Sequence, residues 1–305
     1  MEILGWLIII CIAALIVVLV ISVYENRHFA VKRYVIESPK IPEVFDGMKI
    51  AVLSDLHNQE FGRGNERLIA AIEEQKPDMI IGAGDLLVGR RGTDFSAASN
   101  LVENLAKKYP VYMALGNHEY RLRIYREDYD DMWQRYYDLT RKAGAVWLDN
   151  ETVYIHRDTQ GHIWSGEYDS QESIALSGFT MDAIYYRRFK HTPMDSDYVR
   201  RQCPYDRRDI FQVLLAHNPD YFPEYAGYGA DLVISGHVHG GMVRLPFLGG
   251  VISPMFTFFP KYDRGAFFEG DSQMLLSGGL GNHTFKIRVN NKPELMMVVF
   301  QSRLS

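Results

Sequence analysis

Short apolar runs recur along this chain, most of them ended by a residue that can carry chemistry. Val52 and Leu53 precede Asp55, residues 79–81 precede Asp85, and residues 111–115 precede Asn117. Residues 213–216 precede His217, and residues 232–234 precede His237. Runs of this length, separated by stretches of helical spacing, predict buried strands of an α/β protein. The first central strand is expected over 49–54. A helix over 64–75 follows, with Leu68, Ile69 and Ile72 on one face, and Pro77-Asp78 ends it. A strand to Asp85, a helix over 95–107 and a strand to Asn117 complete a βαβαβ order with parallel strands. Residues 120–142 read mostly as helix, 145–149 and 152–156 as strands, 161–171 as a polar turn region and 173–179 as a strand. Residues 185–201 lack apolar periodicity and suit a surface helix or loop. Short strands dominate from Asp209 and end with 294–300. Two facing β layers with helices outside account for this order, a four-layer αββα fold.

The N-terminus follows another pattern. Residues 3–24 carry no charge and are rich in Ile, Leu and Val. At about 1.5 Å per residue, such a helix crosses the ~30 Å of hydrocarbon in a bilayer. A cleaved signal peptide wants a basic leading region and a small-residue cleavage site. Here Glu2 stands at the start and no small-x-small site follows. The expected organisation is a transmembrane anchor over 1–24, a juxtamembrane connection with an edge strand over 25–47, and a domain over 48–305. Arg27, Lys32 and Arg33 follow the span, and no Lys or Arg precedes it. The positive-inside rule therefore favours a cytoplasmic domain, with an extracytoplasmic one as the alternative.

Composition changes this picture little. Of the 305 residues, 47% are hydrophobic, enough for a sizeable core, and the net charge of −5 offers no basic footprint for nucleic acid. Cys11 lies in the apolar run and Cys203 in a polar stretch, so no disulfide is expected between them. No protein partner is predicted.

The residues that end the runs matter more. Asp55-x-His57, Gly84-Asp85, Gly116-Asn117-His118-Glu119, His217 and Gly236-His237-Val238-His239 bring carboxylate, imidazole and amide groups to one edge of a sheet. That mixture suits two transition-metal ions. Each group has a plainer reading by itself. Asp55 or Asp85 can be a helix N-cap, Asn117 a turn residue and His217 a hydrogen-bonded loop histidine. His237 and His239 fall on one side of an extended chain, which suits chelation. His28, His156, His162, His191 and His283 show no ligand pattern. Gly84, Gly116, Gly236, Gly240 and Gly241 suit tight turns beside metal and phosphate.

The five blocks, in this order, resemble those of the calcineurin-like metallophosphoesterase superfamily from about Met48 to the C-terminus. Ser54-Asp55-Leu56-His57-Asn58, Gly236-His237-Val238-His239-Gly240-Gly241 and Phe259-Pro260-Lys261-Tyr262 are similar to its membrane-associated YkuE/YaeI-like branch. The resemblance implies a metallophosphoesterase sandwich. Asp55, His57 and His239 would hold one metal, Asn117, His217 and His237 the other, and Asp85 would bridge them. It implies Mn, Fe or Zn, a metal-bridging hydroxide as nucleophile and His118 as proton donor to the leaving group. The plainer role for His118 is a hydrogen-bond donor behind the ligands. The substrate would be a phosphodiester, a phosphomonoester or a lipid-linked pyrophosphate. The alternative is a membrane-tethered, non-catalytic scaffold on the same fold. Two segments bear on the substrate. Residues 185–190 mix aromatics with cations and could meet an anionic head group, or be a solvated helix face. Residues 256–259 are core, or line an acyl-chain entrance.

Overall fold

The computed structural model describes residues 2–169, 172–187, 191–205, 207–253, 256–282 and 286–303. The N-terminal run forms one continuous helix, α1 (Glu2–Asn26), with its large apolar side chains exposed on all sides. A helix that is apolar all round requires a bilayer or a protein interior around it. Among the described residues it is the one helix long and apolar enough to cross a membrane. Its last turn differs, because Ser22 and Glu25 are buried against the domain.

The strand-forming runs assemble into two large sheets. The first, in spatial order, is β1 (Ala30–Ser38), β15 (Glu294–Ser302), β2 (Lys49–Leu53), β3 (Met79–Ala83), β4 (Val111–Ala114) and β5 (Val146–Leu148). From β2 to β5 the strands are parallel, as the βαβαβ pattern requires. The C-terminal strand β15 inserts antiparallel to β2 and parallel to β1, which is the edge strand expected before Met48. The second sheet is β13 (Gly265–Glu269), β14 (Ser272–Leu276), β10 (Leu232–Ser235), β9 (Gln212–Ala216), β8 (Ser173–Phe179), β6 (Glu151–Arg157) and β7 (Ile163–Gly166). Its central four strands are parallel. A separate hairpin pairs β11 (Val243–Leu245) with β12 (Gly249–Ile252).

Alternation along the strands builds the layers. Ile50 and Val52 point between the sheets and meet Leu176, Val213 and Ile234. Ala51 and Leu53 point outward, where α2 (Glu66–Gln75), α3 (Ser96–Ala106) and α6 (Met132–Lys142) bring Leu68, Leu101 and Tyr136. On the far side of the second sheet, α7 (Ser196–Gln202) and α8 (Phe222–Tyr228) set Val199, Phe222 and Tyr225 against Leu214 and Val233. Three apolar interfaces thus separate four layers in the order αββα.

Local differences from the sequence reading have local causes. The stretch 120–142 is broken into α4 (Asn117–Ile124), α5 (Arg126–Tyr129) and α6, with Asp130 in the left-handed region at φ 53°. The polar stretch 161–171 contains β7, whose residues are mostly exposed, so it shows no alternation. Within 185–201 the helix is confined to Ser196–Gln202, and Ala183–Tyr186 is a 3-10 turn. His283 and residues 188–190 of the mixed aromatic and cationic run lie outside the described residues.

Candidate metal centre

Every candidate ligand sits just past the C-terminal end of a strand. Asp55 and His57 follow β2, Asp85 follows β3, and Asn117 opens α4 after β4. From the opposite sheet, His217 follows β9, and His237 and His239 follow β10. The loops continue to bond beyond the strands: Asp55 N–H donates to Gly84 O (3.0 Å) and His57 N–H to Asp85 O (3.1 Å). This holds the two carboxylates side by side.

Five of these residues have left-handed backbone: Asp55 (φ 51°), His57 (49°), Asp85 (56°), His237 (72°) and His239 (55°). Such conformations cost energy in non-glycine residues and concentrate at functional sites. They also correct the expectation of an extended chain at His237-Val238-His239. The curled backbone sends the two imidazoles to different neighbours instead of to one shared chelate. Glycine is required here for two reasons. Gly84 has φ +93°, and a Cβ on it would lie 2.6 Å from Gly116 N. Gly236 has no unusual φ, but its Cβ would meet Ser54 Oγ at 2.1 Å and Asp55 Oδ2 at 2.3 Å.

Three groups of ligand atoms converge within 4.8 Å: Asp55, His57 and His239; Asp85, His217 and His237; and His57, Asp85 and His118. Asp55 Oδ1 lies 3.3 Å from His239 Nε2 and 3.8 Å from His57 Nε2. Asp85 Oδ2 lies 3.1 Å from His217 Nε2 and 3.9 Å from His57 Nε2, so this carboxylate faces both sides of the cluster. All these side chains are buried to nine-tenths or more except His237, which borders the cleft.

The surrounding hydrogen bonds aim the imidazoles. His217 Nδ1 donates to Ala83 O and His239 Nδ1 to Gly281 O, both at 2.8 Å. In each neutral ring the Nε2 lone pair therefore points into the cluster, as a metal ligand requires. His217 Nε2 is buried and makes no hydrogen bond of good geometry. Asp85 and Asp55 overcome the burial of His217 and push its pKa up to about 10, so the site favours positive charge at this point. Burial, with the charge of His217 added, holds His237 well below the ordinary histidine value and hence neutral. Asn117 turns its amide oxygen to within 3.2 Å of Asp85 Oδ2 and 2.8 Å of His237 Nδ1, and its nitrogen toward the Arg121 guanidinium. Rotating the amide would satisfy both neighbours in the bare protein. The same amide can offer its oxygen to a cation held beside Asp85 and His237. The donor set fits metal ions.

His118 is bound differently. Its Nδ1 accepts from Gly89 N–H at 2.7 Å, so Nε2 carries the proton in the neutral ring. That nitrogen lies 3.9 Å from Asp85 Oδ2. The contact with Arg121 Nη2 at 3.4 Å then sets donor against donor and is no hydrogen bond.

Several supports carry no ligand signal of their own in the sequence. Glu119, one turn into α4, accepts from the N–H groups of Asp85 (2.8 Å), Leu86 (2.9 Å) and Gly116 (3.0 Å). Burial, then the Asp85 charge, pushes it up to about 8 against the pull of those donors. Its signal was a Glu three residues after Gly116, half of a capping box. Ser54 Oγ donates to Asp55 Oδ2 (2.5 Å). The fully buried Arg288 donates to the carbonyls of Gly278, Gly279, Gly281 and Asn291, which fixes the loop that holds His239. Asn291 Nδ2 donates to His239 O (2.8 Å). A cavity of about 380 Å³ opens beside His237, lined by Tyr186, Arg187, Tyr221, Lys261 and Tyr262. The Tyr186 ring stands 5.3 Å from the His237 ring, so this part of the aromatic run faces the centre and is not a solvated helix face. His191 stacks on Tyr221 at the same cavity. The segment 256–259 is not core: Phe258 is 69% and Phe259 59% exposed.

Residues 48–241 match the sequence profile of the family described as Calcineurin-like phosphoesterase. The chain belongs to the calcineurin-like phosphoesterases. It is 26% identical to the metallophosphoesterase YkuE of Bacillus subtilis (strain 168), over 91% of this chain and 87% of that one. It is 24% identical to phosphodiesterase YaeI of Escherichia coli (strain K12), over 82% and 81%. A transmembrane protein with a metallophosphoesterase domain from Danio rerio is 26% identical, over 94% of this chain and 62% of its own. As a calcineurin-like phosphoesterase, the chain is a hydrolase of phosphoesters from a metal-dependent family.

Proposed function

We propose that this calcineurin-like phosphoesterase is a membrane-anchored hydrolase with a two-metal centre. Asp55, His57 and His239 would hold one ion, Asn117, His217 and His237 the other, and Asp85 would serve both. The observation that carries this reading is the position of Asp85 between the two groups. Mixed oxygen and nitrogen donors suit Mn, Fe or Zn. When bound, such ions supply an activated water and neutralise the phosphoryl oxygens. The protein's own part is to keep Asp85 ionised and His237 neutral, and to aim the imidazoles into the cluster. His118 holds a proton on Nε2 toward the centre, ready for the leaving oxygen. The expected substrate is a phosphodiester, a phosphomonoester or a lipid-linked pyrophosphate, with the lipid-borne forms favoured by the anchor. Elemental analysis of purified, folded protein should find close to two equivalents of Mn, Fe or Zn per chain. Stripping them with a chelator should abolish turnover of a chromogenic phosphodiester, and returning manganese should restore it. A reconstituted preparation that holds no metal overturns the centre, and one that holds metal without turnover supports the scaffold reading.

We further propose that residues 1–24 stay attached as a single-pass anchor with the domain in the cytoplasm. Bonding supports retention. Glu25 accepts from Asn291 N–H (2.8 Å), and Ser22 Oγ donates to Lys286 O (2.8 Å) while accepting from Arg288 N–H (3.0 Å). The basic residues after the span support the orientation. Protease added to intact cells or spheroplasts should leave the domain uncut. Digestion from outside would reverse the topology, and a mature N-terminus beyond residue 24 would remove the anchor.

A further inference from the structure

The hairpin β11–β12 follows directly on His239-Gly240-Gly241 and carries an apolar rim left exposed among the described residues. At its tip Phe247 is 108% and Leu248 65% exposed, and Leu245 is 45% exposed. The segment 256–259 lies along the same hairpin, through Phe259 N–H to Val251 O (2.9 Å) and a bridge between Ile252 and Phe258. It adds Phe258 and Phe259 to the rim. Phe247 (φ 66°), Phe256 (62°) and Phe259 (46°) are left-handed, where a water-facing turn would use Gly or Asn. Thr257 of this segment and the Pro260 and Lys261 that follow it also line the cavity beside His237, so the rim stands at the mouth of the candidate metal centre.

Two hydrogen-bonded steps join this rim to α1. Val243 of β11 bridges Val289, and Arg244 N–H donates to Val289 O (3.0 Å). The segment holding Val289 receives the last turn of α1, through Ser22, Asn26 and Glu25 to Lys286, Arg288 and Asn291. Exposed cations lie nearby: Arg27, Lys286 and Lys292 at the helix end, and Lys261 beside the phenylalanines. Apolar side chains flanked by Lys and Arg, set beside the point where a helix leaves the bilayer, match an anionic membrane interface.

We propose that the β11–β12 tip and the segment 256–259 seat in the lipid interface of the membrane that α1 spans, turning the mouth of the metal centre to the bilayer. The rim is then a second, shallow attachment that fixes the tilt of the domain. Substrates would be amphiphiles whose phosphoester lies at the headgroup level, reached without leaving the membrane. This rests on the reading of α1 as an anchor.

The test uses the full chain in vesicles of phosphatidylglycerol and phosphatidylcholine, and requires no turnover. A fluorescent label is attached to Leu248→Cys in a Cys11→Ser background, where the remaining Cys203 is buried. Labelled Cys11 of the otherwise unchanged chain reports a position inside the anchor, and labelled Gln160→Cys an exposed turn. The label at 248 should shift to the blue and lose emission to brominated lipids, approaching the behaviour of Cys11. Emission at 248 that is quenched by aqueous iodide and insensitive to brominated lipids, with Cys11 quenched by lipid, overturns the proposal alone. If Cys11 also escapes lipid quenching, the anchor reading falls with it. A blue shift without lipid quenching that grows with protein density assigns the rim to a second copy of the chain and overturns the membrane seat.

Discussion

Replacing Asp85 with alanine is expected to abolish phosphoester hydrolysis and to do so more completely than Asp55→Ala. Asp85 Oδ2 faces His217 at 3.1 Å and His57 and His118 at 3.9 Å, while Oδ1 accepts from His118 N–H at 2.8 Å. One substitution therefore removes a group shared by both halves of the proposed centre and loosens the start of α4. Asp55 Oδ1 lies nearest His239, within one half of the cluster. The Asp85 variant should fall by more than about 10³-fold in kcat, beyond the cost of losing one transition-state donor. Metal analysis should show less than one equivalent. Asp55→Ala should keep part of its metal and a measurable residue of activity. If the two variants keep similar, high activity, Asp85 is not the shared ligand.

His118→Gln should keep both metals and lose about 10²- to 10⁴-fold in kcat, the range of general acid catalysis. The ring accepts from Gly89 N–H at Nδ1 and so presents a proton at Nε2. Glutamine of similar reach keeps the backbone bond to Asp85 but has no titratable proton. The loss should be small for a nitrophenyl ester, whose leaving group departs without protonation, and large for an alkyl ester. Equal losses on both substrates point to stabilisation of charge in the transition state. Loss of metal from the variant makes His118 a ligand or a structural residue.

The convergence of these residues was legible in the sequence because most of them closely follow a buried strand. Burial on both faces makes the ends of β2, β3, β4, β9 and β10 largely apolar, and a candidate ligand follows each strand end within three residues. The supports were hidden because they join segments distant along the chain. Glu119 reaches back to Asp85 and Leu86, and Arg288 binds carbonyls near Gly279. Nothing local in either segment marks these partners. The edge strand β7 escaped for another reason: with its residues mostly exposed, no alternation exists to be seen. The curled conformation of His237 and His239 was likewise invisible, since left-handed backbone at histidine has no spacing signature.

If α1 is the anchor proposed above, its last turn couples release of the domain to the loss of bonds behind His239. On that reading, a protease cutting between Ser22 and Asn26 would free the domain from the bilayer. It would also strip acceptors from the N–H groups of Arg288 or Asn291, at a cost of about 1–3 kcal/mol for each one left buried and unmatched. Arg288 and Asn291 hold the loop behind His239, so a shed fragment would leave with that loop loosened. A cut before Ser22 would spare these bonds. On the proposed anchoring, the helix would serve as both tether and safety catch for the loop behind His239.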